Sequence, residues 1–486
     1  MDNNFRYDEI TKTLYVNPLF NEDLTGVPVD TQKIKFVTGW KFYSYVENKS
    51  KFNKPIGCVE CINKFCPRNL PLGLKKINFK NGCFSQCVDC LPESLISLKF
   101  GQDFNQPVKM LPSSLLILKF GYSFNQCVDY LPSNLTHLTF EYNFNQPIKF
   151  LPKNLKYLVL GRKFNFPLDN LPETLTYLET NTPFVIELNT IPKSLKELYL
   201  GTSENFKKYP ENLSNTITHL SLYCYKKNND FNKLPNSITH LTLVRLEQQF
   251  SGLPSQLSYL EIDGYFNNPI GCVGCDNLLC AKNLPNTIRN LIISESFDQC
   301  VDYLPSGLIS LSLSTNFNKP VDKLPKSLKK LDLYVLFNQL VDKLPSSLTH
   351  LTVGCEFDNS MDKLPESLIS LSLHDNNTDF SAIKSLSRLQ EICIYENVES
   401  LNYLPSFVKK ISIKSENVDK LSHIPENIEI LELYFSYSSV VEVTNIPSHI
   451  KKIVINEYDG YYIKKIKKIP FGCVIVNEKD KQYEFL

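Results

Sequence analysis

Residues 131–150 read LPSNLTHLTFEYNFNQPIKF, and this stretch decides the fold. Leu138 and Phe140 are two residues apart, so both side chains point to the same side of a β-strand, and Leu135 opens the same apolar pattern. Pro132 ends any preceding helix and favours an extended approach to the strand. A unit of 20 residues is too short for a strand and a full helix. We therefore expect one short strand followed by an extended or 3-10 return.

The same unit recurs along most of the chain. The Leu-Pro dipeptide advances in steps of 20 residues in two runs, which start at Leu91, Leu111, Leu131, Leu151 and Leu171, and at Leu284, Leu304, Leu324, Leu344 and Leu364. A short fixed period is the signature of a solenoid, in which each repeat contacts only its neighbours. The sequence predicts a leucine-rich-repeat-like solenoid of mainly β structure and little α-helix. One long curved parallel sheet would line its concave face, and the convex side would be extended or 3-10.

The repeats also set the expected domain organisation. We assign an N-terminal cap segment to residues 1–26, a solenoid of about twenty repeats of 20–22 residues to 27–475, and a C-terminal tail to 476–486. Composition agrees, because the best helix former is almost absent: there are two alanines against 31 phenylalanines and 29 prolines. No second domain is expected.

Charge and hydropathy exclude several classes of protein. The formal net charge is +1, from 52 Lys and Arg against 51 Asp and Glu, and no basic run stands out, which argues against a nucleic-acid partner. The first residues contain no apolar core of the signal-peptide type, and no apolar span of about 20 residues follows. We therefore expect an intracellular, cytoplasmic protein with no membrane partner.

Two polar residues recur at fixed places in the repeat. Asparagine follows the repeat phenylalanine, and we expect it to bond turn amides that no sheet partner reaches; it stands at Asn105, Asn125, Asn145, Asn165, Asn232, Asn267, Asn318 and Asn338. Aspartate also keeps one position, at Asp129, Asp169, Asp302, Asp322, Asp342 and Asp362. We expect a row of like charges there, solvated or turn-bonded rather than calcium-binding.

The combined motif Phe-Asn-x-Pro-Val/Ile followed by Leu-Pro-x-Ser-Leu-x-x-Leu resembles the FNIP repeat, a short leucine-rich-repeat variant. The resemblance is closest at 104–108, 124–128, 144–148 and 317–321 and extends over 27–475. That family occurs mainly in amoebae and in large viruses of amoebae, and the resemblance implies a role in protein contacts. Many relatives place an F-box before the repeats, which would imply a substrate adaptor in a ubiquitin-ligase pathway. Since the segment 1–26 is shorter than a three-helix F-box, such an adaptor would lack its own F-box.

Two cysteine-rich inserts interrupt the period, near 57–66 and 271–280. Each has the spacing C-x2-C-x4-C, and a further cysteine stands one repeat later; the two sets are Cys58, Cys61, Cys66 with Cys87, and Cys272, Cys275, Cys280 with Cys300. Because the x2 spacing lets two thiolates face one tetrahedral zinc, four cysteines of each set are candidate ligands of a structural zinc. A loop without metal is the simpler alternative, and disulfide or redox chemistry is a third. No other cofactor is expected.

The sequence contains no recognisable catalytic or nucleotide-binding motif, so we expect no enzyme. Four histidines share the position just before the second strand leucine, where other repeats carry tyrosine or glutamate. This position lines the concave sheet surface, and Tyr157, Tyr177, His240 and Tyr259 are the candidate partner-binding residues. The leading hypothesis is a non-enzymatic interaction scaffold with an unidentified protein partner. The alternatives are the ligase adaptor and, third, a zinc-dependent enzyme that uses an insert as an open metal site.

Overall fold

The structure, a computed structural model, describes most of the repeats but not every residue of the chain. The described residues are 5–9, 11–16, 28–36, 70–71, 73–79, 84–85, 88, 91–180, 191–201, 213–224, 229–247, 250–268, 270, 284–374, 382–394, 404–414, 424–435, 442–455 and 465–477. They divide into two compact units within the stretch predicted as a single solenoid. Unit 1 is Met1–Tyr225 with Lys233–Ile238, and unit 2 is Lys226–Asn232 with Thr239–Leu486.

Unit 1 is a stack of short strands. Its strands are β1 (Phe5–Asp8), β2 (Thr13–Val16), β3 (Lys33–Phe36), β4 (Lys76–Asn78), β5 (Ser97–Lys99), β6 (Ile117–Lys119), β7 (His137–Thr139), β8 (Tyr157–Leu160), β9 (Tyr177–Thr180), β10 (Glu197–Leu200) and β11 (His219–Tyr223). β1 pairs with β2 in an antiparallel manner, and each strand from β2 to β11 pairs in parallel with the next. The parallel stack thus begins with β2, inside the segment 1–26.

Unit 2 has the same construction. Its strands are β12 (Asn229–Asp230), β13 (His240–Val244), β14 (Phe250–Ser251), β15 (Tyr259–Ile262), β16 (Asn290–Ile293), β17 (Ser310–Ser312), β18 (Lys330–Asp332), β19 (His350–Val353), β20 (Ser370–Leu373), β21 (Glu391–Ile394), β22 (Lys410–Lys414), β23 (Ile430–Tyr434), β24 (Lys452–Ile455) and β25 (Val474–Asn477). β13 and β15 to β25 pair in parallel in this order, whereas β12 and β14 form a separate parallel pair.

The Leu-Pro segment forms the turn that leads into each strand. In the quoted repeat, the amide of Leu135 donates to the carbonyl oxygen of Pro132 at 3.2 Å, and the same bond recurs in neighbouring repeats. The serine or threonine just before the leucine that precedes each strand links its repeat to the previous one by a hydrogen bond. Thr174, which precedes Leu175, donates from Oγ1 to the carbonyl oxygen of Leu155 at 2.8 Å. Proline loses no hydrogen bond here, because only its carbonyl is used.

The core of each repeat is a row of leucines beside a column of phenylalanines. Leu138, Leu158 and Leu178 lie in register on β7, β8 and β9, and all three are fully buried. In unit 1 the phenylalanine at the end of the strand packs on the phenylalanine of the return, with Phe120 and Phe124 at 3.7 Å between ring centroids. In unit 2 the phenylalanine of each return stacks on that of the next repeat, with no phenylalanine from the strand between them: the ring centroids of Phe317 and Phe337 are 6.1 Å apart.

The predicted fold class is confirmed: both units are parallel-sheet solenoids of leucine-rich-repeat type. Among the described residues there is no α-helix; a short 3-10 helix spans Ala382–Ser385, and Lys465 also has 3-10 geometry. The other described returns are built from turns and extended chain, because the short repeat leaves no length for helix.

The asparagine ladder predicted from the sequence is present in both units. The amide of Asn145 donates to Oδ1 of Asn125 at 2.8 Å, and the amide of Asn125 donates to Oδ1 of Asn105 at 2.9 Å. In unit 2 Asp298 takes one rung, and its Oδ1 accepts from the amide of Asn318 at 2.8 Å. Each side-chain oxygen therefore satisfies an amide of the next repeat, outside the sheet.

The expectation of a row of uncompensated like charges at the aspartate position is wrong for three consecutive repeats of unit 2. There each aspartate is paired with the lysine of the next repeat, which follows the next aspartate in the sequence. The pairs are Asp302 with Lys323 at 2.8 Å, Asp322 with Lys343 at 3.1 Å and Asp342 with Lys363 at 2.9 Å. Stacking by one repeat places each lysine beside the preceding carboxylate, so charge alternates along this edge.

Candidate functional site

The sheet face is the surface formed by the strand side chains that point away from the leucine core. Along β8, β9 and β10 burial alternates between half-buried and fully buried residues, as the two-residue period of a strand requires. The outward residues are the first and third of each strand. They contribute little to the core, and so their chemistry is free to serve another purpose.

An aromatic ladder crosses the sheet face of unit 1. Tyr157 and Tyr177 stack with 4.0 Å between ring centroids, because β8 and β9 are in register at these residues. His137 lies on the other side of Tyr157 at 5.5 Å, and Tyr199 lies 5.1 Å from Tyr177 in a tilted arrangement. Neighbouring strands thus place four rings in one continuous surface.

Two glutamates complete this surface and form what we name the Tyr–Glu square, defined by Tyr177, Glu179, Glu197 and Tyr199. Glu197 lies opposite Tyr177 and Tyr199 lies opposite Glu179, so the two residue types alternate across β9 and β10. The hydroxyl of Tyr177 donates to Oε2 of Glu179 at 2.9 Å, and that of Tyr199 donates to Oε2 of Glu197 at 3.4 Å. Burial and the neighbouring carboxylates raise the pKa of Tyr177 and of Tyr199.

Unit 2 carries a smaller cluster of the same kind. His240 lies 5.5 Å from Tyr259 between ring centroids, and the hydroxyl of Tyr259 donates to Oε2 of Glu261 at 2.9 Å. Thr242 Oγ1 donates to the same carboxylate oxygen at 3.4 Å. Burial and then the hydrogen bond to Glu261 raise the pKa of Tyr259 to about 12. This tyrosine therefore stays protonated, and remains a hydrogen-bond donor, at neutral pH.

The four histidines that share a position also share one contact. In each, Nδ1 lies 2.9 Å from Oγ1 of the preceding threonine, in the pairs Thr136–His137, Thr218–His219, Thr239–His240 and Thr349–His350. Burial, and then the nearby charge of Lys156, lower the pKa of His137. The contact recurs as a property of the repeat and orients the imidazole on the sheet face. It does not single out one histidine.

The structure separates the four residues predicted to bind a partner into two pairs. Tyr157 and Tyr177 are neighbours in unit 1, and His240 and Tyr259 are neighbours in unit 2. Sequence reasoning noted glutamate at the first outward position, which is that of Glu197, but did not single this residue out. It missed Glu179 and Tyr199, which stand at the third position of β9 and β10. The signal was available, because residues two apart on a strand share a face, but only the first outward position was considered.

The two cysteine sets fall almost entirely outside the part of the chain that the structure describes. Cys58, Cys61, Cys66, Cys87, Cys272, Cys275 and Cys280 lie outside the described residues, whereas Cys300 is described and half-buried. Within the described part of the chain, no three His, Cys, Asp or Glu side chains are placed to hold a metal ion. Structural zinc at the two inserts stays a prediction.

Helices that could cross a bilayer are absent from the described ranges. None of the helices there is long and apolar enough to span a membrane.

Three solved structures are similar to this chain at low sequence identity. CroV588, described as a novel circular leucine-rich-repeat protein, is 23% identical over 98% of this chain and 100% of its own, with a TM-score of 0.46. YopM from Yersinia enterocolitica WA-314 is 15% identical over 84% and 88%, with a TM-score of 0.32. The TLR13–ssRNA13 complex is 12% identical over 95% and 94%, with a TM-score of 0.43. No curated protein matches the sequence.

The profile of the FNIP repeat matches the chain five times. The matched residues are 88–123, 104–143, 124–163 and 144–182 in unit 1 and 317–356 in unit 2. These segments contain the Leu-Pro turns, the strand leucines and the asparagine rungs described above. The chain therefore contains FNIP repeats over 88–182 and 317–356, and its repeats are folded as a leucine-rich-repeat-like parallel solenoid.

Proposed function

We propose that this protein is a non-enzymatic scaffold that binds a partner protein through the sheet face of its repeats. The observation that carries the proposal is the aromatic ladder His137, Tyr157, Tyr177 and Tyr199, which is half-buried or exposed and lies on the outer surface of the sheet. The rings of the ladder pack against one another on adjacent strands and not against the leucine core, so tight packing of the repeat does not require them.

Aromatic residues on a rigid surface suit protein recognition for a physical reason. Tyrosine offers a large contact area, loses little side-chain entropy on binding and carries a hydroxyl for hydrogen bonding, which explains its enrichment at binding hot spots. Strand pairing on both sides fixes the backbone of each ladder residue, so the surface is formed before the partner arrives. Preorganisation of this kind lowers the entropic cost of association.

Affinity purification of the tagged full chain from its native host cell, followed by mass spectrometry, tests the proposal. Two variants remove a sheet-face ring, Tyr157→Ser in unit 1 and Tyr259→Ser in unit 2. Matched controls make the same change at exposed tyrosines off the sheet face, Tyr130→Ser (69% exposed) and Tyr265→Ser (61% exposed). We expect at least one partner to fall about tenfold or more in a sheet-face variant and to persist in its control. The same partner set in all four variants would refute the proposal.

The same purification also examines the alternatives taken from the sequence. A ubiquitin-ligase adaptor would bring ligase subunits with it in stoichiometric amounts, and these would persist in the sheet-face variants if they bound elsewhere. A zinc-dependent enzyme would contain metal with an open coordination position. Metal analysis of the purified chain tests that hypothesis together with the structural zinc predicted at the cysteine inserts.

A further inference from the structure

Resting on the scaffold role proposed above, we propose that the Tyr–Glu square binds a lysine or arginine side chain presented by an extended segment of the partner protein. The square is one part of the sheet face, in unit 1, and it holds two tyrosine–glutamate pairs where the smaller cluster of unit 2 holds one. The inference follows from the hydrogen-bonding capacity of its four side chains, from its uncompensated charge and from a contrast with other carboxylates of the same chain.

The square is rich in hydrogen-bond acceptors and poor in donors. The two phenol protons are already committed, since Tyr177 donates to Glu179 and Tyr199 donates to Glu197. The phenol oxygens keep their lone pairs, and an ionised carboxylate only accepts. Among the described residues, no further donor reaches either carboxylate. A group with several donors and a positive charge, which is an ammonium or a guanidinium, matches this set.

The negative charge of the square is not compensated within the described part of the chain. Neither Glu179 nor Glu197 forms an ion pair there, although both are half-buried. After burial, the charges of Glu197 and Glu179 both raise the pKa of Tyr199. The neighbouring strands add no lysine to the face: β8 contributes Tyr157 and Val159, and β11 contributes His219 and Ser221.

Two other carboxylates on the sheet face of this chain, both in unit 2, have their own cation, whereas Glu261, like the square, accepts from tyrosine and forms no ion pair among the described residues. Asp332 pairs with Lys330 two residues earlier on β18 at 2.9 Å, and Glu432 pairs with Lys410 of the adjacent strand at 2.9 Å. The first residue of the strand is lysine on β18, but in the square it is Tyr177 on β9 and Glu197 on β10. Two lysines, Lys156 and Lys196, stand one position before β8 and β10 and are exposed. A partner can therefore supply the cation that Glu179 and Glu197 lack within the described part of the chain.

The dimensions suit a single long cationic side chain. Glu179 and Glu197 lie on a diagonal of the square, one strand apart and two residues apart along the strand, which separates their Cα atoms by about 8 Å. One guanidinium or ammonium between them can contact both carboxylates. The stacked ring of Tyr157 extends the surface on one side, and the aliphatic stem of a lysine or arginine can lie along it.

A random dodecapeptide display library, panned against the purified full chain, tests this inference even though the natural partner is unidentified. The test variant, which takes no part in the selection, is Glu179→Gln/Glu197→Gln, in which the amide oxygen still accepts from tyrosine but the charge is gone. The matched control, Asp169→Asn/Glu173→Gln, removes two exposed carboxylates of the same unit away from the sheet face. Selected peptides are then measured by fluorescence anisotropy against all variants and at two salt concentrations.

We expect the enriched peptides to contain lysine or arginine and to bind Glu179→Gln/Glu197→Gln about tenfold more weakly or worse, with the control unchanged. Replacing the cationic residue of the peptide with norleucine should weaken binding to the wild-type chain by a similar factor. The same replacement should weaken binding to Glu179→Gln/Glu197→Gln by a smaller factor. Peptides that lose binding to Tyr157→Ser but bind Glu179→Gln/Glu197→Gln normally would overturn this inference and leave the scaffold proposal standing. Peptides that bind equally to both variants would count against both proposals.

Discussion

Replacing Asn125 with alanine removes one rung of the asparagine ladder in unit 1. Its Oδ1 accepts from the amide of Asn145 at 2.8 Å and from Nε2 of Gln146 at 3.2 Å. Gln146 keeps a second contact, to the carbonyl oxygen of Asn125 at 3.3 Å, but the amide of Asn145 loses its partner. A partly buried donor without a partner costs about 1–3 kcal/mol. We therefore expect the variant to lose about 2 kcal/mol of unfolding free energy.

Chemical denaturation of the full chain measures this loss, and the chain itself suggests the control. Asp298 performs the same task in unit 2, where its Oδ1 accepts from the amide of Asn318 at 2.8 Å. Asn125→Asp should therefore stay within about 0.5 kcal/mol of the wild type. Because repeats can unfold in parts, hydrogen exchange at the amide of Asn145 provides a local readout and should accelerate only in the alanine variant. Equal destabilisation by alanine and aspartate, or no loss with alanine, would refute the reasoning.

Three further outcomes follow from the packing, charges and pKa values. Phe124→Ala should lower the unfolding free energy by about 3–5 kcal/mol, because this ring is fully buried and packs on Phe120 at 3.7 Å; thermal unfolding will show it, and an unchanged melting temperature would contradict it. Lys343→Ala should cost only about 0–1 kcal/mol, and less in high salt, since its pair with Asp322 at 3.1 Å is exposed. Folding raises the pKa of Tyr259 to about 12, so its contribution to the unfolding free energy is complete below about pH 10 and is lost as the pH rises towards 12. Chemical denaturation across this pH range should show a smaller decline in unfolding free energy for Tyr259→Phe than for the wild type. An equal decline would contradict the assignment.

Much of the fold could be predicted from the sequence because a solenoid is a local structure. Each repeat contacts only its neighbours, so the spacing of Leu135, Leu138 and Phe140 determines where the strand and the core lie, and distant contacts do not enter. The asparagine ladder was predictable for the same reason, since Asn125 and Asn145 occupy one position in adjacent repeats. The register of the sheet then follows from the period.

The candidate site was only partly predictable. The period places Tyr157 and Tyr177 on one face, but the alternation of tyrosine and glutamate across β9 and β10 depends on which residues become neighbours in the third position of each strand. The charge state of a surface also needs the structure. At the aspartate position of unit 2, the sequence suggested repulsion, whereas stacking by one repeat pairs Asp322 with Lys343.

The sequence by itself determined that this protein is a repeat solenoid with leucines and phenylalanines inside, because hydrophobic periodicity and proline placement act within one repeat and its neighbour. Apart from the asparagine ladder, tertiary structure alone decided which polar side chains meet. Hydrogen bonds and ion pairs depend on distances of a few ångströms between residues about 20 positions apart, and a one-residue shift of register would separate them. The uncompensated carboxylates of Glu179 and Glu197 are of this second kind, and they became visible only once the strands were placed side by side.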